Sequence, residues 1–368
     1  MIGIVTINDP QNYGNRLQNY ALSQLLKKYG NNTTIYLNFA DTRLQVMKVA
    51  LKRMIVHPVR NWFGRVFGSN QDIRLTEKRR HVFDVFTKRY VADNLLHVNV
   101  AGGMSPGIKK LRYIVVGSDQ VWNDHWLNNQ SSLEARLAGF AAANTQIISY
   151  AASFSTLHVE NESVPIFKKL LPHFKAISVR EFSAKTLVKE LSGCDSTVVL
   201  DPTLMISSDK WLDITRGFVP DNDKYVLTYF LGKPSGEQER TIHAYAKSRG
   251  CGVRRIMDPR DKESLEAGPQ DFVELFSKAQ YVFTDSYHAC CFSILFHRQF
   301  TVFNRAGIHG QNNMNTRMET LFQLFDLDSA VVDDGLSPSI DYVKVEELLG
   351  RHRSESRKWL DRAMGERF

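Results

Sequence analysis

The chain has 368 residues, with 47 Lys and Arg against 39 Asp and Glu, and a formal net charge of +8. Hydrophobic residues make up 43% and charged residues 23%, which excludes extensive disorder, collagen-like repeats and low-complexity sequence. No apolar run approaches the roughly 18 residues of a membrane-spanning helix. The first residues also lack the basic start and cleavage site of a signal peptide. We therefore expect a cytoplasmic protein of two domains.

The positive charge is concentrated in one segment. Residues 43–89 contain twelve Lys or Arg and three acidic residues, whereas the rest of the chain is close to neutral. This distribution argues against a broad nucleic-acid-binding surface. The four cysteines form neither a CxxC pair nor a Cys/His zinc spacing, so neither a disulfide framework nor a zinc site is expected.

Short apolar runs alternate with segments of helical periodicity along most of the chain. The predicted strands are 2–7, 33–38, 112–117, 146–151, 176–180, 197–200, 225–230, 253–256, 280–284 and 300–303. The predicted helices are 16–29, 163–174, 182–191, 237–249, 270–278, 288–297 and about 341–364. This alternation predicts parallel sheets that are covered by helices on both faces.

A proline-containing polar stretch, residues 200–223, separates the two series of strands. We therefore predict an N-terminal α/β domain, 1–205, and a C-terminal α/β domain, 206–368, with a cleft between them. The last predicted helix would pack back across the junction. Residues 41–100 interrupt the alternation, and Leu44, Met47 and Leu51 recur there at helical spacing. This pattern predicts an insertion of basic amphipathic helices in the first domain.

Polar residues follow several predicted strands, where ligands bind in open α/β sheets. Asn12, Gly14 and Asn15 open the first helix, whose amides would attract an anion, and the glycine would allow a close approach. The alternative is a tight turn in which Asn15 caps the helix. Ser118, Asp119 and Gln120 follow strand 112–117. Asp119 would face the cleft as a general base, or Ser118 and Asp119 would only stabilise a turn.

Two further strand ends carry charged residues. Arg180 would present a planar cation to a carboxylate or phosphate, and the alternative is an ion pair with Glu181 or another surface acid. His288 follows Asp285, Ser286 and Tyr287 and begins an apolar helix, where it could donate a proton near neutral pH. The alternative is a structural histidine. The loop cations Arg305 and Arg317 either reach the same cleft or are solvated charges.

These motifs, taken in chain order, resemble the polysaccharide pyruvyl transferase family. The matching segments are NYGNRLQNYAL (12–22), VGSDQVWN (116–123), SYAASF (149–154), SVRE (178–181), VLDPTLM (199–205), TDSYHACCFSILF (284–296) and TRMETL (316–321). The resemblance implies two Rossmann-like domains in a GT-B-like arrangement with a cleft between them. It also implies an enzyme that moves the pyruvyl group of phosphoenolpyruvate onto a sugar as a cyclic ketal, with release of phosphate.

The resemblance also implies roles for individual residues. His288 would be the acid or phosphate partner, Asp119 the base and Arg180 the anion clamp. The remaining residues expected to bind substrate are Asn12, Gly14, Asn15, Ser118, Gln120, Ser286, Tyr287 and Arg317. Relatives often carry Arg at the position of Ser286, so Arg317, Arg305 or Arg298 would have to supply that cation. Phosphoenolpyruvate is the co-substrate, and no metal or other cofactor is expected.

The acceptor implied by the family is a surface polysaccharide or its lipid-linked precursor. The basic segment 43–89 would then contact anionic lipid or a diphosphate-linked acceptor at the inner face of the membrane. Its alternative is a solvated pair of charged helices. Two other functions remain open: a glycosyltransferase of the same architecture, with Glu319 as a ribose contact, and a non-catalytic member that docks assembly proteins.

Overall fold

The computed structural model describes residues 1–38, 70–91, 96–99, 107–127, 130–304 and 316–365. The strands are β1 (Ile2–Val5), β2 (Asn32–Asn38), β3 (Leu96–Asn99), β4 (Tyr113–Val116), β5 (Gln146–Ser149), β6 (Phe174–Ala176), β7 (Ser178–Val179), β8 (Thr197–Val198), β9 (Tyr225–Tyr229), β10 (Gly252–Ile256), β11 (Tyr281–Thr284), β12 (Phe300–Phe303) and β13 (Val331–Val332).

The α-helices are α1 (Tyr13–Leu26), α2 (Asn70–Phe86), α3 (Gln130–Arg136), α4 (Val164–Leu170), α5 (Phe182–Ser192), α6 (Pro202–Met205), α7 (Ser208–Leu212), α8 (Gly236–Ser248), α9 (Lys262–Leu265), α10 (Pro269–Lys278), α11 (Tyr287–Leu295), α12 (Thr316–Phe325) and α13 (Tyr342–Met364). A π-helical segment, Thr87–Val91, follows α2 directly. Short 3-10 turns are Lys27–Tyr29, Ile108–Lys110, Asp124–Trp126, Leu171–His173 and Asp328–Ala330. No helix in the described ranges is both long enough and apolar enough to cross a membrane.

Two parallel sheets form the centre of the fold. The first has the order β3-β2-β1-β4-β5-β6, and the second has the order β10-β9-β11-β12-β13. Both orders are those of doubly wound, Rossmann-like sheets. In such sheets all strands are parallel, and the order in which strands are added reverses at one strand pair. The short pair β7-β8 continues the first sheet through bridges at Ala152. The predicted α/β fold class with two Rossmann-like units is confirmed.

Side-chain burial explains why these segments form central strands. Every residue of β1, β4, β9 and β11 is buried, and their sequences are continuous apolar or β-branched runs. Such runs are expected where helices cover both faces of a parallel sheet. In β3, by contrast, apolar and polar residues alternate, which is the pattern of a half-buried strand. Val98 of β3 is buried at the edge of the sheet.

The prediction for residues 41–100 is wrong in part. Helix α2 lies in this segment, but Leu96–Asn99 forms β3, which pairs in parallel with β2. A strand is favoured there because apolar and polar residues alternate over four positions, which fits a sheet edge better than a helix. The predicted helical residues Leu44 to Met54 lie outside the described part of the chain. The strand predicted at 176–180 is also different, since Ile177 separates β6 from β7.

The helices α1 and α10 join the two halves through an aromatic contact. Tyr13 stacks on Phe272 with ring centroids 5.0 Å apart, and its hydroxyl donates to the Ala267 carbonyl at 2.5 Å. Both rings are fully buried, so separating these helices would expose a large apolar surface. Burial also raises the pKa of Tyr13 to about 12, even though the nearby Arg79 opposes the shift, so its hydroxyl stays protonated as a donor.

The last helix, α13, starts beside the second sheet and contacts the first half of the chain. Asp361 accepts from Lys28 Nζ at 2.7 Å, and Tyr113 donates to the Met364 carbonyl at 2.8 Å. Arg353 donates to the carbonyl oxygens of Leu204 and Ile206. These contacts hold the two sheets in one relative position. The domain boundary at residue 205 stays a prediction.

Candidate functional site

The candidate site lies in the crevice at the carboxyl ends of the parallel strands. In the first sheet the strand order reverses between β1 and β4, and in the second between β9 and β11. Loops on either side of such a reversal diverge and leave a crevice for a ligand. The segments that reach this crevice are Asn12–Arg16 after β1, Gly117–Gln120 after β4, Arg180 after β7, Asp201 after β8, Asp285–His288 after β11, and Arg317 on α12.

The first helix begins at Tyr13, and its cap is Asn12 rather than Asn15. The Asn12 side chain is the acceptor for Asn15 N–H at 3.0 Å. Its short polar side chain satisfies an amide that has no partner inside the helix. Asn15 is thereby released for the crevice, where its Nδ2 donates to Asp119 Oδ2 at 3.4 Å.

Gly14 provides the space in which His288 lies. A Cβ atom at Gly14 would be 2.1 Å from His288 Nδ1 and 2.6 Å from Cε1. Gly14 is the second residue of α1, and His288 is the second residue of α11. The N-terminal ends of both helices therefore meet at this point, and each contributes a partial positive charge. The His288 ring fills the space at Gly14, and the close approach of a ligand there stays a prediction.

Asp119 is surrounded by cationic groups. Its Oδ1 lies 3.2 Å from Arg180 Nη2 and 3.5 Å from Arg317 Nη1, and 13% of its side chain is exposed. Burial alone would raise the pKa of this carboxyl, but Arg180 and Arg317 hold it well below its usual range. Asp119 is therefore ionised at neutral pH. The same contacts make it a weak base as long as both guanidinium groups remain in place.

Arg180 is fully buried between two carboxylates. Its Nη1 donates to Asp201 Oδ2 at 2.8 Å, and its Nη2 donates to Asp119 at 3.2 Å. Burial opposes the charge on Arg180, but Asp201 and Asp119 raise its pKa above the usual value. The alternative ion pair with Glu181 is wrong.

Glu181 instead receives donors from the loop that follows β5. Its Oε1 accepts from Ser153 Oγ, Phe154 N and Ser155 N at 2.9–3.0 Å.

The aromatic ring of Tyr287 lies between two guanidinium groups. Its centroid is 4.6 Å from Arg180 Cζ and 5.7 Å from Arg317 Cζ, both within the range of a cation–π contact. The preceding Ser286 is buried, and its N–H donates to Thr284 Oγ1 at 3.0 Å. Asp285 accepts from the backbone amides of residues 231 and 232, so it ties the loops after β9 and β11 together.

Three arginines were candidates to supply the cation that relatives often carry at the position of Ser286, and they differ in where they lie. Arg317 lies in the crevice beside Asp119. Arg298 lies elsewhere and donates to the Ser277 carbonyl. Arg305 is outside the described residues. Gln120, also predicted to bind substrate, accepts from Asn123 Nδ2 at 3.1 Å within its own turn.

Sequence reasoning missed two buried members of this site, Asp201 and Arg16. Asp201 accepts from Ser118 Oγ at 3.1 Å and joins Ser118 to Arg180. Arg16 donates to Asn15 Oδ1 at 2.9 Å and to Asn8 Oδ1 at 3.3 Å. The signal for Asp201 was an acidic residue between a strand end and Pro202. That pattern was interpreted as the start of a linker.

His288 reaches the site from the second half of the chain. Burial lowers its pKa below the usual value, although the negative charges of Asp201 and Asp119 oppose that shift. The imidazole is therefore neutral in this structure at neutral pH. An anionic ligand beside it would favour the protonated form.

The chain belongs to the polysaccharide pyruvyl transferase family. A model of that family matches residues 12–307, which include every member of the site except Arg317. Membership makes the protein a transferase of polysaccharide synthesis with a glycan acceptor. No curated protein matches the chain.

Solved structures to which this chain is similar include two UDP-GlcNAc 2-epimerases. The enzyme of Methanocaldococcus jannaschii is 12% identical with a TM-score of 0.46, covering 95% of this chain and 91% of its own. The enzyme of Neisseria meningitidis bound to UDP-GlcNAc is 10% identical with a TM-score of 0.43, covering 98% and 100%. The wall teichoic acid polymerase TagF is 12% identical with a TM-score of 0.44, covering 99% and 82%.

A methyl group at Gly14 should displace the His288 ring. We expect Gly14→Ala to lower the free energy of unfolding by about 1–3 kcal/mol, because overpacking forces neighbours to move. Denaturant unfolding measures the change. Gly350→Ala, on α13 with no atom within 4 Å of the new Cβ, is the matched control and should not destabilise the protein. The double variant Gly14→Ala/His288→Ala should recover much of the loss. No recovery would contradict the contact.

The buried neutral imidazole of His288 predicts a pH-dependent stability. Unfolded His288 binds a proton near pH 6.5, whereas the folded residue resists protonation. Stability should therefore decrease as the pH falls below about 6.5, with a slope of at most about 1.4 kcal/mol per pH unit from this residue. Urea unfolding at pH 5.5–7.5 tests this, and the slope should be smaller in His288→Gln. Equal slopes in both proteins would show that His288 is not buried in the neutral form.

Proposed function

We propose that the protein transfers the pyruvyl group of phosphoenolpyruvate to two hydroxyls of a glycan, forming a cyclic ketal and releasing phosphate. Family membership supports a polysaccharide pyruvyl transferase. The observation that supports this reaction at this crevice is the convergence of Asp119, His288 and Arg317 from three different loops and helices. They supply an ionised carboxylate, a neutral imidazole and a cation around one space.

The donor is a strongly anionic molecule, so its binding site needs positive charge. Arg317 and Arg180 lie within 3.5 Å of Asp119, and the N-terminal ends of α1 and α11 meet beside His288. In our proposal the phosphate and carboxylate of the donor compete with Asp119 for these guanidinium groups. This competition has a chemical consequence, because Asp119 becomes a stronger base once the cations turn to the donor.

The proton transfers in the proposed reaction balance. Protonated His288 gives its proton to C3 of the donor, which becomes a methyl group, and C2 becomes electrophilic. Asp119 accepts the proton of the first hydroxyl as its oxygen bonds to C2. The C2–O bond to phosphate then breaks, and the second hydroxyl closes the ketal as its proton leaves. Of the two hydroxyl protons, one restores His288 and the other leaves with phosphate.

The reaction is tested by incubating the full chain with phosphoenolpyruvate and candidate glycans. We expect phosphate release and a glycan whose mass increases by one pyruvyl group. His288→Gln and Asp119→Asn should each lower the rate by about 10²–10⁴-fold, the usual contribution of general acid–base groups. The matched controls His297→Gln and Asp195→Asn lie on the exposed surface and should keep the wild-type rate.

A second experiment, thermal unfolding in the presence of each donor, distinguishes the alternative functions. Thermal stabilisation by phosphoenolpyruvate and not by UDP-sugars supports the pyruvyl transferase. Stabilisation by UDP-sugars alone would favour a glycosyltransferase and contradict the proposal. Full activity of His288→Gln or Asp119→Asn would contradict the roles proposed for these residues.

We also propose that the basic segment brings the protein to an anionic membrane surface, where a lipid-linked acceptor would be found. In the described part of this segment, Arg80, Lys88 and Arg89 are exposed on α2 and the π-helical turn. Phe83 and Phe86 of α2 are buried against Tyr13 and Tyr20. The apolar face is thus used inside the protein, and the exposed charges are available for lipid headgroups.

Neutralising these three residues to Gln should weaken binding to vesicles of phosphatidylglycerol and phosphatidylcholine. The expected loss is about 1 kcal/mol for each charge at low salt. Co-sedimentation measures it, and Lys168, Lys185 and Lys247 changed together to Gln provide an exposed control of equal charge. Equal losses in both triple variants would show that only the net charge of the protein matters.

A further inference from the structure

Asp201 is an unusually well-satisfied carboxylate at the start of α6. Its Oδ1 accepts from Thr203 N at 2.9 Å and from Thr203 Oγ1 at 2.8 Å. Its Oδ2 accepts from Ser118 Oγ at 3.1 Å and from Arg180 Nη1 at 2.8 Å. Donors that hydrogen-bond to both oxygens stabilise the ionised form of the carboxyl. Burial would raise its pKa, but Arg180 and the hydrogen bond from the Thr203 amide keep it lowered, so Asp201 is ionised at neutral pH.

The two ring nitrogens of His288 have different surroundings. Nε2 lies 3.9 Å from Asp201 Oδ2, is shielded from solvent and has no hydrogen-bond partner among the described residues. Nδ1 lies against Gly14, where the missing side chain leaves the ring its space. One nitrogen therefore faces a buried anion, and the other faces the meeting point of α1 and α11.

We propose that Asp201 is a positioning residue that holds the N–H of neutral His288 on Nε2, so that His288 exchanges protons with substrate at Nδ1. The role in proton exchange rests on the proposed pyruvyl transfer, whereas the orientation of the ring does not. A neutral imidazole has one N–H, and a carboxylate beside one nitrogen favours the tautomer that points the N–H at it. A separation of 3.9 Å in the free protein is compatible with this role, since such contacts shorten when substrate binds.

Other charged groups around His288 do not replace Asp201 in this role. Asp119, after β4, lies close enough to favour a charged imidazole, but the carboxylate that the structure places beside a ring nitrogen is that of Asp201. Arg180, after β7, and Arg317, on α12, oppose protonation of the ring.

Tyr287 is the neighbour of His288 on α11, with its ring nearly perpendicular to the imidazole. Burial raises the pKa of Tyr287 well above its usual value, so it carries no charge. Of the described acidic groups, Asp201 is the one within 4 Å of Nε2.

The tautomer can be measured directly in the wild-type protein. We expect ¹⁵N NMR of the full chain with labelled histidine to show His288 with its proton on Nε2 at pH 7.5. His288→Gln identifies the signal by removing it. A proton on Nδ1 would overturn the proposal. Because no substrate is needed, this result is independent of whether phosphoenolpyruvate is the donor.

Asp201→Asn tests the electrostatic part of the proposal. Removing an adjacent charge should lower the pKa of His288 by about 1–3 pH units in an NMR titration. If the proposed reaction holds, the acidic limb of the kcat profile should move by the same amount. Thr203→Val keeps the charge of Asp201 while removing one donor, and Asp195→Asn removes a charge that is 96% exposed. Neither control should move the pKa of His288.

The outcomes separate the two proposals. A folded Asp201→Asn protein with an unchanged His288 pKa overturns the role of Asp201 even if pyruvyl transfer is observed. The expected tautomer and pKa change without any pyruvyl transfer would overturn the reaction and leave the positioning role standing. If Asp201→Asn does not fold, the wild-type tautomer still decides the question.

Discussion

The bonding of Arg180 to two carboxylates is the interaction on which the crevice depends. Asp201 and Asp119 lie 2.8 and 3.2 Å from its guanidinium nitrogens, and all three groups are largely or wholly removed from solvent. An unpaired charge in such surroundings costs several kcal/mol, so each group is stable there only because the others are present. The ends of β4, β7 and β8, which carry these side chains, are therefore held in one arrangement.

This arrangement belongs to the first sheet, but the chemistry depends on the second. The second sheet contributes His288 and Tyr287 through α11. In the loop after β11, the Asp285 carboxylate accepts hydrogen bonds from two backbone amides, which holds that loop in place. His288 can enter because α1 has a glycine where the ring lies. The packing of Tyr13 on Phe272 and the contacts of α13 hold the two halves of the chain close enough for His288 to contact Gly14.

Much of the fold could be predicted from residue patterns. Continuous apolar runs predicted β1, β4, β9 and β11, because buried parallel strands have no polar face. The edge strand β3 was not predicted because it lies in a segment whose earlier residues recur at helical spacing, and β13 was not predicted because two residues are too few to show a period. The alternative with Asn15 as the cap of α1 is wrong, because several polar residues in a row fit the capping rule and the structure uses Asn12.

The sequence by itself determined the alternation of strands and helices, the family motifs and the residue types at the strand ends. These are local properties, because periodicity and turn chemistry act over a few residues. Only the tertiary structure decided the partners of those residues. Arg180 pairs with Asp201 and not with its neighbour Glu181, and Gly14 accommodates a ring that is 274 positions away in the chain. The physical reason is that ion pairs and close packing depend on distance in space, which is set by how the sheets are ordered and brought together.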